Sequence, residues 1–288
     1  MALGRLAKIA RKLRLIAASD LATRDKFRYA MRWAGLSHRS ADVITYRLRA
    51  GASVALRKGT TDYKVFDEIF VERVYARGLA RLPGYLGHVT LIDLGAYTGL
   101  SSIAIARELA AVGTVVDEIF AVEPDPDNFR VLSENLRTAR LANCCTAFRA
   151  FAGAEHGFAE VQDSGNGAWG MRMGPPSESG TPVFPLAEIA KSAQIDTPIV
   201  LKCDIEGGER QLFLHMRDWE HLIHYVLLEL HTEFLSVREL SACLESSGFH
   251  WTMHGTAAEG AGIAFFLLER GLALPLGVST MRCCSSTG

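Results

Sequence analysis

Between Leu201 and Phe213 the chain reads LKCDIEGGERQLF, placing Asp204, Glu206 and Glu209 within six residues, directly after the apolar run PIVL. Carboxylates this close together can accept a proton, hold a cation or orient a basic ring. His231 follows a second apolar run, YVLLEL. An imidazole suits removal of a proton from a hydroxyl near neutral pH, because its ordinary pKa is about 6.5. Asp204 could orient that ring, contact a cationic ligand group or act as the base itself. Glu206 falls on the same side as Lys202 and Asp204 if the strand continues that far, which would aim it at a substrate hydroxyl. Glu209 opens the next helix, where an acid already has an electrostatic reason to sit. Asp204, Glu206 and His231 also make a donor set that a divalent cation accepts, yet their spacing alone assigns no metal.

A second constellation lies upstream. LIDLGAYTGLSS ends a buried run in Asp93, follows with Gly95 and Gly99, and then opens a helix. The glycines let the backbone turn sharply and approach a ligand, while the helix start offers free N–H groups to a small anion. The spacing G-x-x-x-G departs from the G-x-G-x-x-G of a dinucleotide cradle. Asp93 stands where a cationic amine could be held. In AVEPDPDNF, Glu123 ends the next run, where an acid accepts from both ribose hydroxyls, and Pro124 can lie flat against a base. An amine and a carboxylate at the glycine loop, with a ribose at Glu123, together describe S-adenosylmethionine.

The elements that must position these groups alternate along the chain. Short apolar runs, VTLIDL, EIFAVE, CTAFRA, PIVLKCD and YVLLEL, are separated by helical patterns at residues 100–111, 126–138 and 209–216. Several runs are apolar on both faces, as parallel strands covered by helices on both sides must be. SVRELSACLESSG stops at Gly248 and precedes FHWTMHG and GIAFFLLER, a closing antiparallel pair. Residues 163–182 are too rich in Gly, Pro and Ser for a regular element, and they embed Trp169. That ring would be an apolar wall, a sugar-stacking face or a pin for its own loop. Residues 54–78 read as a strand, a turn and one amphipathic helix capped by Thr61 or Asp62.

IDLGAYTG, VEPDPDNFRVLSENL, the WG pair at Trp169 and Gly170, LKCDIEGGE with RQLF, and LLELH ending at His231 together resemble the FkbM family of S-adenosylmethionine-dependent methyltransferases. LRKGTTDYKVFDEIF resembles a segment that precedes the core in many members. The likeness runs from about Val54 to Arg270, with Tyr97 in place of the family's asparagine, Gly208 in place of its alanine, and Thr232 where an acid often follows the histidine. It implies an α/β, Rossmann-like class I methyltransferase fold: a doubly wound, seven-stranded, mostly parallel sheet of order 3-2-1-4-5-7-6 with an N-terminal helical extension. In that order the fourth and fifth strands are neighbours, so Asp204 and His231 emerge side by side near the methyl donor. The expected segments are a basic extension over 1–53, a methyltransferase domain over 54–270 (lead-in 54–88, core 89–270) and a flexible tail over 271–288. Asp93, Gly95, Tyr97, Gly99, Ser101, Glu123, Pro124 and Asp204 are the expected cofactor residues; His231, Asp204 and Glu206 the catalytic ones; Trp169 and Glu206 the substrate contacts. The implied reaction is O-methylation of a sugar, glycolipid or secondary-metabolite hydroxyl.

Composition narrows the partners. The 31 basic and 32 acidic residues leave a net charge of -1, so no global field recruits nucleic acid. A nucleic-acid N-methyltransferase is a rival reading, disfavoured because CDIEGGE replaces the Asn/Asp-Pro-Pro-aromatic turn such enzymes carry. Six cysteines form no CxxC pair, and the doublets at Cys144 and Cys283 suit a reducing, cytoplasmic compartment. No apolar run reaches the roughly 18 to 20 residues of a membrane span. The first nineteen residues carry five basic residues and no acid, with Leu3, Leu6, Ala10, Leu13 and Ala17 at helical spacing. That is a peripheral membrane or partner-docking helix, or one packed on its own domain; in the extreme the chain is a membrane-docked cofactor binder without turnover. The oligomeric state stays open, a homodimer included.

Overall fold

The computed structural model describes residues 2–36, 41–82, 86–165, 167–193, 197–257 and 262–273. Of the tail expected over 271–288, residues 271–273 belong to the last strand, and the rest, with the Cys283 doublet, lies outside the described residues. The chain opens with helices α1 (Ala2–Ala18) and α2 (Thr23–Trp33), then an antiparallel hairpin of β1 (Val43–Arg47) and β2 (Ser53–Arg57). This hairpin straddles the boundary expected at residue 53. Its inward residues Ile44, Tyr46, Val54 and Leu56 share one buried cluster with Leu91 and Leu100 of the main sheet and its flanking helix. Tyr29, Tyr46, Phe66 and Phe70 join edge to face and stacked at 5.1–5.7 Å, which fixes the hairpin to the helices.

The single amphipathic helix expected after this hairpin is instead broken in three. A short α3 (Asp62–Phe66) runs into a π turn at Asp67–Val71, Arg73 turns left-handed at φ 55°, and α4 follows (Val74–Leu79). No side chain caps α3, because Asp62 turns inward to Arg57. Insertions of this kind widen the turn and re-aim side chains. Here they point Glu68 and Ile69 into the central cavity.

Strand β3 (His88–Leu94) then starts the main sheet, followed by α5 (Leu100–Ala111), β4 (Val115–Val122), α6 (Pro126–Thr138) and β5 (Cys145–Phe148). Asp125 caps α6 by accepting from Asn128 N at 2.8 Å, and Pro126 starts its first turn. The Gly/Pro/Ser-rich segment, expected to be irregular, contributes strands. β6 (Phe151–Gly153), β7 (Gly157–Asp163), β8 (Met171–Pro176) and β9 (Thr181–Pro185) form a separate sheet of order β6-β9-β7-β8. Its strands need little side-chain propensity because the ladder is antiparallel through β7, and its partly exposed faces tolerate Pro and Gly.

After α7 (Leu186–Lys191) come β10 (Ile199–Cys203), α8 (Glu209–Leu214), β11 (Tyr225–His231), α9 (Val237–Glu245), β12 (Phe249–Ala257) and β13 (Ile263–Ala273). The seven-stranded sheet runs β12-β13-β11-β10-β3-β4-β5, and β13 is antiparallel to both of its neighbours. Numbered within the core, that order reads 6-7-5-4-1-2-3. Alternate residues of β3 enter opposite cores: Val89 and Leu91 on the face of α5, Ile92 and Leu94 on the face of α8 and α9. Because both faces are covered, functional groups can leave the sheet only at its carboxyl edge, where β3, β4, β10 and β11 all end.

Candidate active site

At that edge lies a cavity of about 420 Å³, within the range of small-ligand clefts. Gly95, Tyr97, Ser101, Glu123, Pro124, Trp169, Asp204, Glu206 and His231 all line it. Among the expected site residues, Asp93 and Gly99 do not. Asp93 is fully buried, accepting from Ser101 Oγ and Ser102 Oγ at 2.6 Å each, and the cation it faces is Lys202 at 3.3 Å. It does not line the cavity, and it seats the start of α5. Gly99 caps α5 in a left-handed turn at φ 77°, against Leu132.

The glycine loop is locked to the neighbouring strand end. A Cβ on Gly95 would stand 1.8 Å from the Asp204 carbonyl oxygen, and Lys202 Nζ donates to Leu94 O at 3.1 Å and Gly95 O at 2.8 Å. Burial alone would push the Lys202 ammonium down, but Asp93 and Asp204 hold its pKa well above the ordinary value. Asp204 accepts this ion pair at 3.4 Å while its carboxylate stays a quarter exposed toward the cavity.

Glu123 accepts from Tyr97 N at 2.9 Å, Asp125 N at 3.0 Å and Asn128 Nδ2 at 3.2 Å. A carboxylate offers about four lone-pair directions, so one remains for a ligand hydroxyl. Burial pushes its pKa up to about 8, against the pull of those three donors. Three residues absent from the expected site, Arg57, Asp62 and Asn128, hold this corner. Arg57 donates to Asp62 at 2.9 Å and to Asn128 Oδ1 at 2.8 Å, and Tyr97, itself left-handed at φ 50°, donates to Asp62 at 2.5 Å. Asn128 also donates to Ala168 O at 2.8 Å, tying the Trp169 loop to the same network. Linear spacing gives no sign of Arg57, because its partners lie up to 71 residues away. Asp62→Ala leaves that guanidinium buried without its carboxylate, and we expect a loss of about 3–5 kcal/mol in urea unfolding. A loss below about 1 kcal/mol, the worth of a surface pair, would contradict the network's role.

Trp169 faces the cavity with one side covered, since Lys64 Nζ sits 3.7 Å from its ring centroid. Its indole N–H is buried without a hydrogen-bond partner. A buried orphan donor lining a cavity is available to an acceptor atom of a ligand.

The acids of the opening motif separate sharply. β10 ends at Cys203, so strand alternation does not carry Glu206 to its place. The chain turns left-handed at Glu206, φ 52°, and at Gly207, φ 101°. A positive φ in a non-glycine residue costs of order 1–3 kcal/mol and clusters at functional sites. The turn folds Glu209 back underneath. Its carboxylate accepts from Ile205 N and Gly207 N, both at 2.9 Å, and meets His231 Nδ1 at 3.0 Å. Glu209, expected only to steady a helix start, is thus the fully buried partner of the histidine. Asp204, for which orienting the ring was one of three expected roles, faces Lys202 instead. With Nδ1 engaged, the other ring nitrogen, Nε2, looks toward Glu206 Oε2 at 3.6 Å. Burial lowers the His231 pKa, but the Glu209 hydrogen bond and the charges of Glu209, Asp204 and Glu206 raise it to about 9. The ordinary value taken from the sequence does not hold. Burial lifts Glu206 to about 7, with His231 pulling the other way.

Among the described residues, Asp204, Glu209 and His231 are the group whose donor atoms fall within 4.8 Å of one another as metal ligands require. Glu209 therefore stands where the sequence pointed to Glu206. Its oxygens already accept from two amides and the imidazole, so a cation there would compete with three hydrogen bonds.

Residues 93–250, more than half of the chain, match the profile of the methyltransferase FkbM domain. No curated protein sequence matches the chain. Among solved structures, the chain is similar to methyltransferase FkbM from Methylobacillus flagellatus KT, with 17% identity and a TM-score of 0.43 over 66% of this chain and 45% of that one. This chain thus spans less than half the length of that protein. It is also similar to precorrin-6y C5,15-methyltransferase from Geobacter metallireducens GS-15 (14% identity, TM-score 0.41, 69% and 88% covered). A third similar structure is the O-methyltransferase from Bacillus cereus in complex with SAH (10% identity, TM-score 0.41, 68% and 78% covered).

Proposed function

The chain belongs to the FkbM methyltransferase family, and on that premise we propose that it is an O-methyltransferase that uses S-adenosylmethionine to methylate a hydroxyl of a small sugar-like, glycolipid or secondary-metabolite acceptor. The observation that carries this reading is the Glu209–His231 pair, which presents the ring's Nε2 to the cavity beside Glu206 and Asp204. When bound, the cofactor supplies an electrophilic methyl group. Gly95 and Tyr97 give its amino-acid end a backbone cradle, and Glu123 offers a remaining lone pair to its ribose. Gly95 fits that role because any larger residue would collide with the facing strand.

The protein's own work is alignment and one proton transfer. Glu209 holds the ring through Nδ1–H, leaving Nε2 to accept the acceptor's hydroxyl proton. Glu206 orients that hydroxyl, and Trp169 walls the acceptor. The imidazolium so formed is stabilised by Glu209, which already favours the charged ring.

A base must be neutral to act, and the His231 pKa is about 9 in the free protein. The rate constant kcat/KM is therefore expected to rise with pH, reach half its maximum near 9 and level off above it. A flat profile between pH 6 and about 9 would remove His231 as the titrating base. The same shift has the opposite sign for stability. Its contribution is complete below the unfolded value of about 6.5 and fades as pH climbs through the folded value. The decisive test of the function is isothermal titration with S-adenosylmethionine and its demethylated product, followed by mass spectrometry of hydroxylated acceptors. Absence of binding by both would defeat the proposal.

A further inference from the structure

The apolar stripe of α1 does not face the protein. At 100° per residue, Leu6, Ala10, Leu13 and Ala17 fall within a sector of roughly 60°, and all four are exposed, Leu6 at 63% and Leu13 at 47%. The body is met by the opposite side. Lys12 bonds Asp67 and, at 3.1 Å, Glu72, Ile16 is buried, and Ser19 closes the helix end onto Ile16 O at 2.7 Å. Lys12, Leu15 and Ile16 hold the helix to the body, while Leu6 and Leu13 form a second apolar face that points outward, which a globular surface helix does not need. Leu6 and Leu13 do not stand alone. Among the described residues, seven of the twelve exposed large apolar side chains precede residue 44, including Phe27 at 68% and Trp33 at 42%.

Charge is concentrated in the same place. Residues 1–36 hold nine basic and two acidic residues, a surplus of seven in a chain whose overall charge is -1. On α1 itself Lys8, Arg11 and Arg14 are exposed; at 100° per residue Arg14 lies about 70° and Arg11 about 130° from the middle of the stripe, and Lys8 on the far side.

We propose that this outward face docks the protein onto an anionic lipid surface. Leucines that face out need an apolar medium, and the cationic segment that carries them, with Arg14 at the edge of the stripe, needs negative headgroups; a bilayer of acidic lipid supplies both. A second copy of the chain would bring two cationic faces together and is disfavoured by their repulsion. A nucleic acid would satisfy the cations and leave the leucines in water. Docking also has a route to the cavity, because Asp67, which Lys12 grips, precedes Glu68 and Ile69 of the cavity wall.

The test is sedimentation of the full chain with vesicles of phosphatidylcholine alone or mixed with phosphatidylglycerol. Binding to the mixed vesicles is expected to exceed binding to the neutral ones by about tenfold or more and to fall with salt. Leu13→Asp is expected to lower it about tenfold, and the pair Arg11→Glu with Arg14→Glu by at least as much. These side chains are exposed, so urea unfolding of each variant should match the parent and separates lost docking from lost folding. Equal binding to both vesicle types, or none, overturns the proposal. So does a dimer in analytical ultracentrifugation that Leu13→Asp dissociates, or salt-sensitive RNA binding without vesicle binding.

Discussion

Replacing His231 by alanine is expected to lower kcat by about 10² to 10⁴-fold while leaving the Kd for S-adenosylmethionine nearly unchanged. The expectation follows from position. His231 reaches the cavity at the end of β11, away from Gly95, Tyr97 and Glu123, and its loss leaves Glu209 still held by two backbone amides. The fold should therefore survive. The rise of kcat/KM toward pH 9 should disappear in the same variant. If His231→Ala keeps full turnover, the base is another group, with Asp204 next in line. If it loses cofactor affinity in step with turnover, His231 is a binding residue and the proton leaves by another path. Single-turnover kinetics with titration calorimetry separates these cases.

Gly95→Ala should be the most damaging conservative change at the cofactor end. The new methyl would lie 1.8 Å from a backbone oxygen, which cannot swing aside, and the residue would be forced to keep φ near 70°. Left-handed strain alone costs about 1–2 kcal/mol, and the collision must push apart β3 and β10, which are paired from Thr90 to Leu94. We expect a loss of about 3 kcal/mol or more in urea unfolding and loss of measurable cofactor binding by calorimetry. Parent-like stability and affinity would show that the Asp204 carbonyl does not close on the loop as described.

Much of the frame was readable because its causes are local. β3, β10, β11 and the carboxyl half of β4 are largely buried on both faces, so their apolar runs stand out. Gly95 and Gly99 mark a turn that only glycine enters easily, and Glu123 ends a strand next to it. What could not be read depends on long-range geometry. The pairing of Glu209 with His231 spans 22 residues and exists because the chain reverses at Glu206 and Gly207. Periodicity showed that α1 carries an apolar stripe but not which way the stripe would turn, since that is decided by Lys12 finding Asp67 and Glu72. Asp93 reads as a ligand group because it ends a strand, and the cation it faces in the fold is Lys202, 109 residues later. The small mixed sheet of β6 to β9 is not legible because Gly and Pro weaken strand propensity, while its partly exposed faces ask little of it.

The lock between Leu94, Gly95, Lys202 and Asp204 also sets when the site can come into being during folding. Its donors and acceptors lie more than a hundred residues apart, and closing so long a loop is entropically costly and slow. Neither the glycine loop nor the Asp204 turn has its final shape until β3 and β10 register. Competence to bind a ligand should therefore arise late, with the consolidation of the central strands rather than with the early helices. In a refolding experiment, recovery of ligand binding becomes a clock for that one pairing, and a ligand present during refolding would stabilise the end product without hastening the step that builds its own site.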